Sequence, residues 1–262
     1  MQPAAPPPAH RIRESLLAAR ARHGASALAR LEDAFLRATG SRPPLVPSHP
    51  LQRPNLFFPG LDERPWLERG DLEAIAMLEA EWMTIRDEVF DARVGGFQRF
   101  NDGTPHEGDW NALYVRYGAK PVEVNRSLIP RTMEIVNALP RIGVMAMVSA
   151  LNAGGHIAPH CGVHNLRITA HLGLEIPEGC SFRVADEIRQ WREGECLVFD
   201  DSFEHEVWNR GTGTRYVLLV DFWHPHLTDV EIEVLDEVEG MMASVRSRLQ
   251  EGKYGEPVQW WA

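Results

Sequence analysis

The chain of 262 residues has only three cysteines, Cys161, Cys180 and Cys196. An odd number without CxxC spacing argues against a disulfide framework or a cysteine-based zinc site, and a reducing compartment is the simpler expectation. Positive charge is also in short supply, with 27 Lys and Arg against 37 Asp and Glu and a formal net charge of -10. A surface that tracks phosphates needs clustered cations, so no nucleic-acid partner is expected. Long apolar runs are missing as well. The longest, Ile142–Leu151 (IGVMAMVSAL), falls far short of the ~20 residues that a membrane-spanning helix needs. The proline-bearing start, MQPAAPPPAHRIRESLLAARARHG, has no apolar stretch of the secretory kind. These absences lead to the expectation of a soluble cytoplasmic protein with no membrane partner, and they leave the oligomeric state open.

What is present belongs to an ordinary globular chain, 44% hydrophobic and 24% charged, which is enough to bury a sizeable core. Residues 1–9 are Pro/Ala-rich and expected to be disordered. Amphipathic segments follow at Arg11–Arg22 and Ser26–Ala38, the second with Ser26 as N-cap and Leu28, Leu31 and Phe35 on one face. Prolines 43, 44, 47, 50 and 54 then break the stretch Gly40–Pro54. Residues 1–50 are therefore read as a disordered start plus a short helical appendage, too small for its own core, and 51–262 as the main domain.

Beyond the linker, Leu72–Phe90 has helical spacing through Ile75, Leu78, Trp82, Ile85 and Val89, and Ile129–Leu139 suits a helix with Pro130 in its first turn. Short β-type runs then dominate: Val144–Ala150, Leu166–Leu172, Ser181–Val184, Cys196–Phe199 and Arg215–Phe222. Closely spaced strands after a helical half predict a mixed α+β protein with a mainly β core, an antiparallel sandwich or barrel with helices packed outside. That core spans about 142–226. Thr228 with Glu231 fits a capping box opening a C-terminal helix over 228–249.

The stretch GGHIAPHCGVHN sets His156, His160 and His164 four residues apart. Gly154, Gly155, Pro159 and Gly162 argue against the single helix face that a zincin site requires, and no glutamate follows His156 to serve as its base. The stretch reads instead as a loop entering a strand, with His156 and His164 as surface or loop histidines. In that strand Leu166, Ile168, Ala170 and Leu172 alternate with Arg167, Thr169 and His171. The polar face either lines a barrel interior that binds an anion or faces solvent; period two alone permits both. In VFDDSFEHEVW an apolar strand runs into an acidic turn, and His205 follows near the start of the next strand. Arg215 opens another strand with Val217, Leu219 and Asp221 on its own face. A buried arginine there needs an anionic partner, which a bound carboxylate would supply. Trp82, Trp110 and Trp208 read as core.

A histidine before one strand, a second 45 residues later and an arginine ten further on resemble the jelly-roll oxygenases that use Fe(II) and 2-oxoglutarate. Their iron site commonly adds a carboxylate two residues after the first histidine, where this chain has Gly162. That departure resembles the aspartyl/asparaginyl β-hydroxylases. The likeness rests on HIAPHCGVHNLRITAHLGLEIPEGCSFRVA, WREGECLVFDDSFEHEVWN and RYVLLVDFWHP, with weaker echoes in FFPGL, EWMTIRDE and EGDW, over residues 50–231.

The resemblance implies a double-stranded β-helix, jelly-roll or cupin-like, with flanking α-helices. It implies His160 and His205 as iron ligands, and Arg215 and Ser149 on the distal carboxylate of 2-oxoglutarate, with His171 at the other end. Asp201 would orient a metal-bound water rather than ligate. Arg167 takes a cationic position in the pocket, and Thr169 stands where the family tends to have an arginine. With O2 as co-reactant, the implied reaction is hydroxylation at Cβ of an Asp or Asn that is free, carrier-bound or in a peptide. Two alternatives stand beside it: a halogenase using the position opened by Gly162, and a non-catalytic binding or sensing module.

Overall fold

The computed structural model describes residues 8–238 except Thr39 and Asn101. Part of the Pro/Ala-rich start and the expected C-terminal helix beyond residue 238 lie outside the described residues. The chain divides into two compact units: Met1–Val46 with Leu56–Asp62 and His226–Ala262, and Pro47–Asn55 with Glu63–Pro225.

The first unit is helical: α1 (Pro8–His23), a 3-10 turn at Ser26–Leu28, α2 (Ala29–Ala38) and a helix over residues 229–238. Leu16, Ala19, Leu28, Leu31 and Ala34 are its buried apolar residues in the first two helices and the turn between them, among the described residues. Ser26 does not cap: the preceding Ala25 is already helical (φ -65°, ψ -37°), so the extended backbone of a capping residue is never reached. The Thr228 capping box does form, with the Thr228 amide donating to Glu231 Oε2 at 2.8 Å and the Glu231 amide donating to Thr228 Oγ1 at 3.2 Å. Glu231 is buried and also accepts from Arg30 Nε at 2.8 Å.

The second unit carries α3 (Glu73–Ala80), α4 (Trp82–Asp91) and α5 (Pro130–Asn137). The single helix predicted over Leu72–Phe90 is thus two. Glu81 breaks it at φ -101°, ψ 7°, and the Trp82 indole beyond the break sits where a Cβ on Gly194 would come within 3.1 Å of it. Pro130 is at the start of α5, where its missing N–H costs nothing.

Thirteen strands among the described residues complete the unit. The minor ones are β1 (Trp66–Leu67), β2 (Gln98–Arg99), β3 (His106–Glu107) and β5 (Lys120–Pro121); β4 is Trp110–Tyr117. The main series is β6 (Ile142–Leu151), β7 (His156–His160), β8 (Arg167–Glu175), β9 (Cys180–Val184), β10 (Glu187–Arg189), β11 (Cys196–Phe199), β12 (His205–Asn209) and β13 (Arg215–Trp223). One sheet runs β1-β11-β8-β13-β6-β4-β2 with β5 on β4, and the other runs β10-β9-β12-β7-β3. From β6 to β9, and again from β11 to β13, each successive strand joins the opposite sheet, and the pairings are antiparallel. That alternation winds a double-stranded β-helix, as the sequence likeness implied.

Alternating residues of the large sheet face two different layers. Ile168, Ala170, Leu172, Val148, Leu218 and Val220 pack with the helix residues Ile75, Leu78, Ile85, Val89, Met133 and Val136. The opposite positions face the space between the sheets, where Phe182, Val184 and Val207 come from the small sheet and Met147, Phe199 and Val217 from the large one. β8 therefore has no solvated face. Thr169 and His171 are buried and Arg167 is half-buried on the inter-sheet side, the first of the two readings that the sequence left open.

Candidate active site

The loop predicted for HIAPH is strand β7, and its irregularity is what presents His160. β12 pairs with β7 at His205↔His160 and Val207↔Ile157, with a register shift between them. Two residues of β7, Ala158 and Pro159, oppose the single Glu206. This bulge accommodates a proline that cannot donate to a ladder and re-aims the strand end. The outcome is a His160–His205 pair with ring centroids 4.0 Å apart.

Each ring has one nitrogen assigned. His160 Nδ1 lies 2.8 Å from the Ala158 carbonyl and His205 Nδ1 lies 2.9 Å from the Phe203 carbonyl. A neutral ring donating from Nδ1 has a lone pair on Nε2, the form that binds a metal. Burial lowers the His160 pKa. It pushes His205 down to about 3, with the neighbouring His160 and Arg183 acting in the same direction. Both imidazoles are thus neutral at physiological pH.

No third side chain of metal-binding type joins the pair: among the described residues no group of three His, Cys, Asp or Glu side chains is placed to hold a metal. The reason is local to Gly162. A Cβ there would lie 2.6 Å from Asp201 Cγ and 2.8 Å from Asp201 Oδ2, with Oδ1 closer still. The Gly162 amide donates to the Asp201 carbonyl at 2.6 Å, which fixes this approach. The Asp201 carboxylate thus occupies the space that a side chain at 162 would take. Its Oδ1 is buried without a partner, and burial raises its pKa to about 7, with Asp221 adding to the shift and Arg167 opposing it.

A second cluster lies on the inter-sheet face of β6, β8 and β13. Arg215 is 1% exposed, and among the described residues its one hydrogen-bond partner is Ser149, to which Nη2 donates at 3.2 Å. Its Nε is buried with no acceptor, and burial lowers its pKa to about 10. Ser149 Oγ also accepts from Trp110 Nε1 at 2.9 Å, so the serine proton remains free to be donated. Trp110, read as core, is indeed buried but serves this hydroxyl. His171 has both ring nitrogens buried and unpartnered. Its ring stacks on Phe182 with centroids 5.3 Å apart, and burial, with Arg215 and His205 adding, holds its pKa well below the usual value. Trp191 Nε1 is a further buried donor without an acceptor, and its ring lies 5.1 Å beneath the Arg215 guanidinium.

Arg167 is brought to the same interior but pairs with Asp221, Nε to Oδ2 at 3.1 Å; Asp221 also accepts from the Met145 amide at 2.8 Å. Thr169 is 4% exposed on the same face.

The remaining candidates fall outside. His156 lies in β7 rather than a loop, 2.8 Å from Glu206 and stacked on Trp208. Trp208 is accordingly half-buried on the outer face of the small sheet and not core. His164 stays in the loop after β7. His224 is buried after β13, its amide donating to the Leu166 carbonyl at 2.9 Å. Trp191 escaped sequence reasoning because nothing local to QWREG distinguishes an indole facing a distant arginine from one in the core.

Comparison with known proteins follows the same stretches. The family model described as Aspartyl/Asparaginyl beta-hydroxylase matches residues 79–225. Human aspartyl/asparaginyl beta-hydroxylase is 38% identical over 181 residues, 64% of this chain and 24% of that protein. Human aspartate beta-hydroxylase domain-containing protein 2 is 34% identical over 203 residues, 71% of this chain and 54% of that protein. An ornithine lipid ester-linked acyl 2-hydroxylase from Rhizobium tropici is 32% identical over 161 residues, 60% of this chain and 53% of that protein. A solved oxidoreductase of the 2OG-Fe(II) oxygenase family from Burkholderia pseudomallei aligns over 54% of this chain and 78% of its own, at 15% identity and a TM-score of 0.37.

Proposed function

Because the chain belongs to the aspartyl/asparaginyl β-hydroxylase family, we propose that it catalyses Fe(II)- and 2-oxoglutarate-dependent hydroxylation of an unactivated C–H bond, at Cβ of an Asp or Asn side chain that is free, carrier-bound or in a peptide. The observation that carries this reading is the chemistry of the interior beside the histidine pair. Arg215 Nε and Trp191 Nε1 are buried donors without acceptors, and Ser149 keeps a proton to give. An unpaired buried guanidinium is very costly, so the space suits an acceptor-rich anion such as a dicarboxylate.

His160 and His205 would hold the metal through Nε2, their tautomers fixed by the Ala158 and Phe203 carbonyls. Two imidazoles without a thiolate suit Fe(II). Arg215 and Ser149 would bind the distal carboxylate of 2-oxoglutarate, and His171 would stand toward its other end. Once bound, iron, 2-oxoglutarate and O2 supply the oxidising power, with CO2 and succinate as coproducts. Asp201 would accept a hydrogen bond from a water bound to the metal at the position that Gly162 leaves without a ligand. The Phe182, Phe199 and Trp191 rings around His171 exclude bulk water. The substrate is met by Arg167, already balanced by Asp221, and by the neutral Thr169. A halide beside Gly162 would face the Asp201 carboxylate, which gives the halogenation reading no support.

The test incubates the protein with Fe(II), 2-oxoglutarate and O2 against free Asp and Asn, Asp- and Asn-containing peptides and carrier-bound forms. Succinate is expected in step with a product heavier by one oxygen atom. Failure to consume 2-oxoglutarate with every substrate would favour a binding or sensing module instead.

A further inference from the structure

Trp191 stands in the turn between β10 and β11, and the backbone holds that turn against β8. The Gly173 amide donates to the Glu195 carbonyl at 3.1 Å, and the Gly194 amide to the Gly173 carbonyl at 2.9 Å. Gly173 is required for this approach, since a Cβ there would lie 2.9 Å from the Arg192 carbonyl carbon. Trp191 is consequently 3% exposed, stacked on Phe182 with centroids 5.2 Å apart and planes 7° apart. Its other neighbours are the Arg215 guanidinium at 5.1 Å and the His171 ring at 6.0 Å.

An indole N–H can only donate, and burying it without an acceptor is unfavourable. The ring face already serves the guanidinium by a cation–π contact. We propose that Trp191 is a binding residue for the anionic cosubstrate, its Nε1–H donating to the same distal carboxylate that Arg215 and Ser149 hold. The carboxylate then has donors of three kinds, and Trp191 both completes that set and supports the arginine. This rests on the reading of Arg215 as the carboxylate site. Trp66 provides an internal contrast: its Nε1 is also buried and unpartnered, but the cation over its ring is Arg189, at 4.4 Å.

The experiment measures binding to full-length protein loaded with Fe(II) under anaerobic conditions, by calorimetry, for 2-oxoglutarate and for oxalate, which can chelate a metal but has no distal carboxylate. Trp191→Phe keeps an aromatic ring in the stack and removes the N–H together with the rest of the five-membered ring, and Trp66→Phe makes the same truncation at another buried indole. Trp191→Phe is expected to weaken 2-oxoglutarate binding roughly tenfold, as for one hydrogen bond to a charged group, while oxalate affinity stays at the parent value; the smaller ring lowers the melting temperature as well, which the oxalate arm and the Trp66 variant separate from the loss of the N–H. Trp66→Phe is expected to leave both ligands unchanged. The proposal is overturned if Trp191→Phe stays within twofold of the parent for 2-oxoglutarate, or if it weakens oxalate equally. Arg215→Met separates the two layers: unchanged 2-oxoglutarate affinity in that variant refutes the carboxylate site itself, whereas a loss there with none in Trp191→Phe refutes only the role of the indole.

Discussion

Replacing Gly162 by alanine tests why this centre has two histidines and no ligating acid. The new methyl would lie 2.6 Å from Asp201 Cγ and 2.8 Å from Oδ2, distances that unstrained Cβ atoms do not reach. The backbones cannot easily part, because the Gly162 amide is bonded to the Asp201 carbonyl at 2.6 Å. Asp201 must therefore swing its carboxylate out of a buried position, or the strand ends must shift. Overpacking of this kind costs about 1–3 kcal/mol. At roughly 2–4 °C per kcal/mol for a unit of this size, melting should fall by roughly 2–12 °C. Thermal unfolding with a chelator present reads this without any contribution from metal. The double variant Gly162→Ala/Asp201→Ala removes the collision, so the cycle should show a coupling of at least 1 kcal/mol in the direction of rescue, by the same overpacking estimate. A melting temperature of Gly162→Ala within 1 °C of the parent, or additive single effects, would refute the claim that Asp201 fills the place of a side chain at 162.

Three further outcomes are expected. Arg215→Met should leave the ligand-free protein within about 1 kcal/mol of the parent or more stable, since it removes a buried cation with no carboxylate partner, while abolishing the thermal shift that 2-oxoglutarate gives the parent; loss of stability beyond 3 kcal/mol would contradict this. Asp200 is buried, and burial raises its carboxyl pKa well above the ordinary value, with Asp201 adding to the shift. The folded state therefore binds the proton more tightly than the unfolded state, so this residue's contribution falls as pH rises from the ordinary Asp range toward the raised value. Asp200→Asn should flatten that part of the stability–pH curve and equal or exceed the parent at neutral pH, and a steeper decline would count against it. Burial also raises all three thiols, Cys196 most strongly; iodoacetamide at pH 7.5 should label them slowly in native protein and fully after unfolding, as read by mass spectrometry.

β6, β11 and β13 were legible because their apolar residues run nearly without interruption, and β8 because its apolar and polar residues alternate; all four lie within a few residues of their predicted ends. β4 and β7 were not predicted as strands, while β12 was expected only as a strand starting near His205. WNALYVRY mixes polar and apolar residues, and HIAPH contains a proline that signals a loop until the bulge opposite Glu206 is known. The break at Glu81 left no mark, because neither glycine nor proline produces it; its counterpart is Gly194, more than a hundred residues away. At the candidate site, His160, His205 and Arg215 were singled out through the spacing of a family pattern, and the structure sets the two histidines together and buries the arginine. The meaning of Gly162 needed coordinates, since only they put the Asp201 carboxylate where its side chain would be. Thr169 and His171 could be assigned to one face by period two, but that the face is interior depends on a second sheet contributed by residues up to 209.

The most direct measurement is an anaerobic absorption titration of Fe(II)-loaded protein with 2-oxoglutarate, compared with His160→Ala, His205→Ala and Arg215→Met. The parent should develop the visible charge-transfer band of a chelated 2-oxo acid, saturating at one equivalent. Both histidine variants should lack it, and Arg215→Met should show it only at much higher ligand concentration. A parent that gives no band, or a His205→Ala variant that gives the parent's band, would contradict an iron centre built on His160 and His205 with 2-oxoglutarate as its cosubstrate.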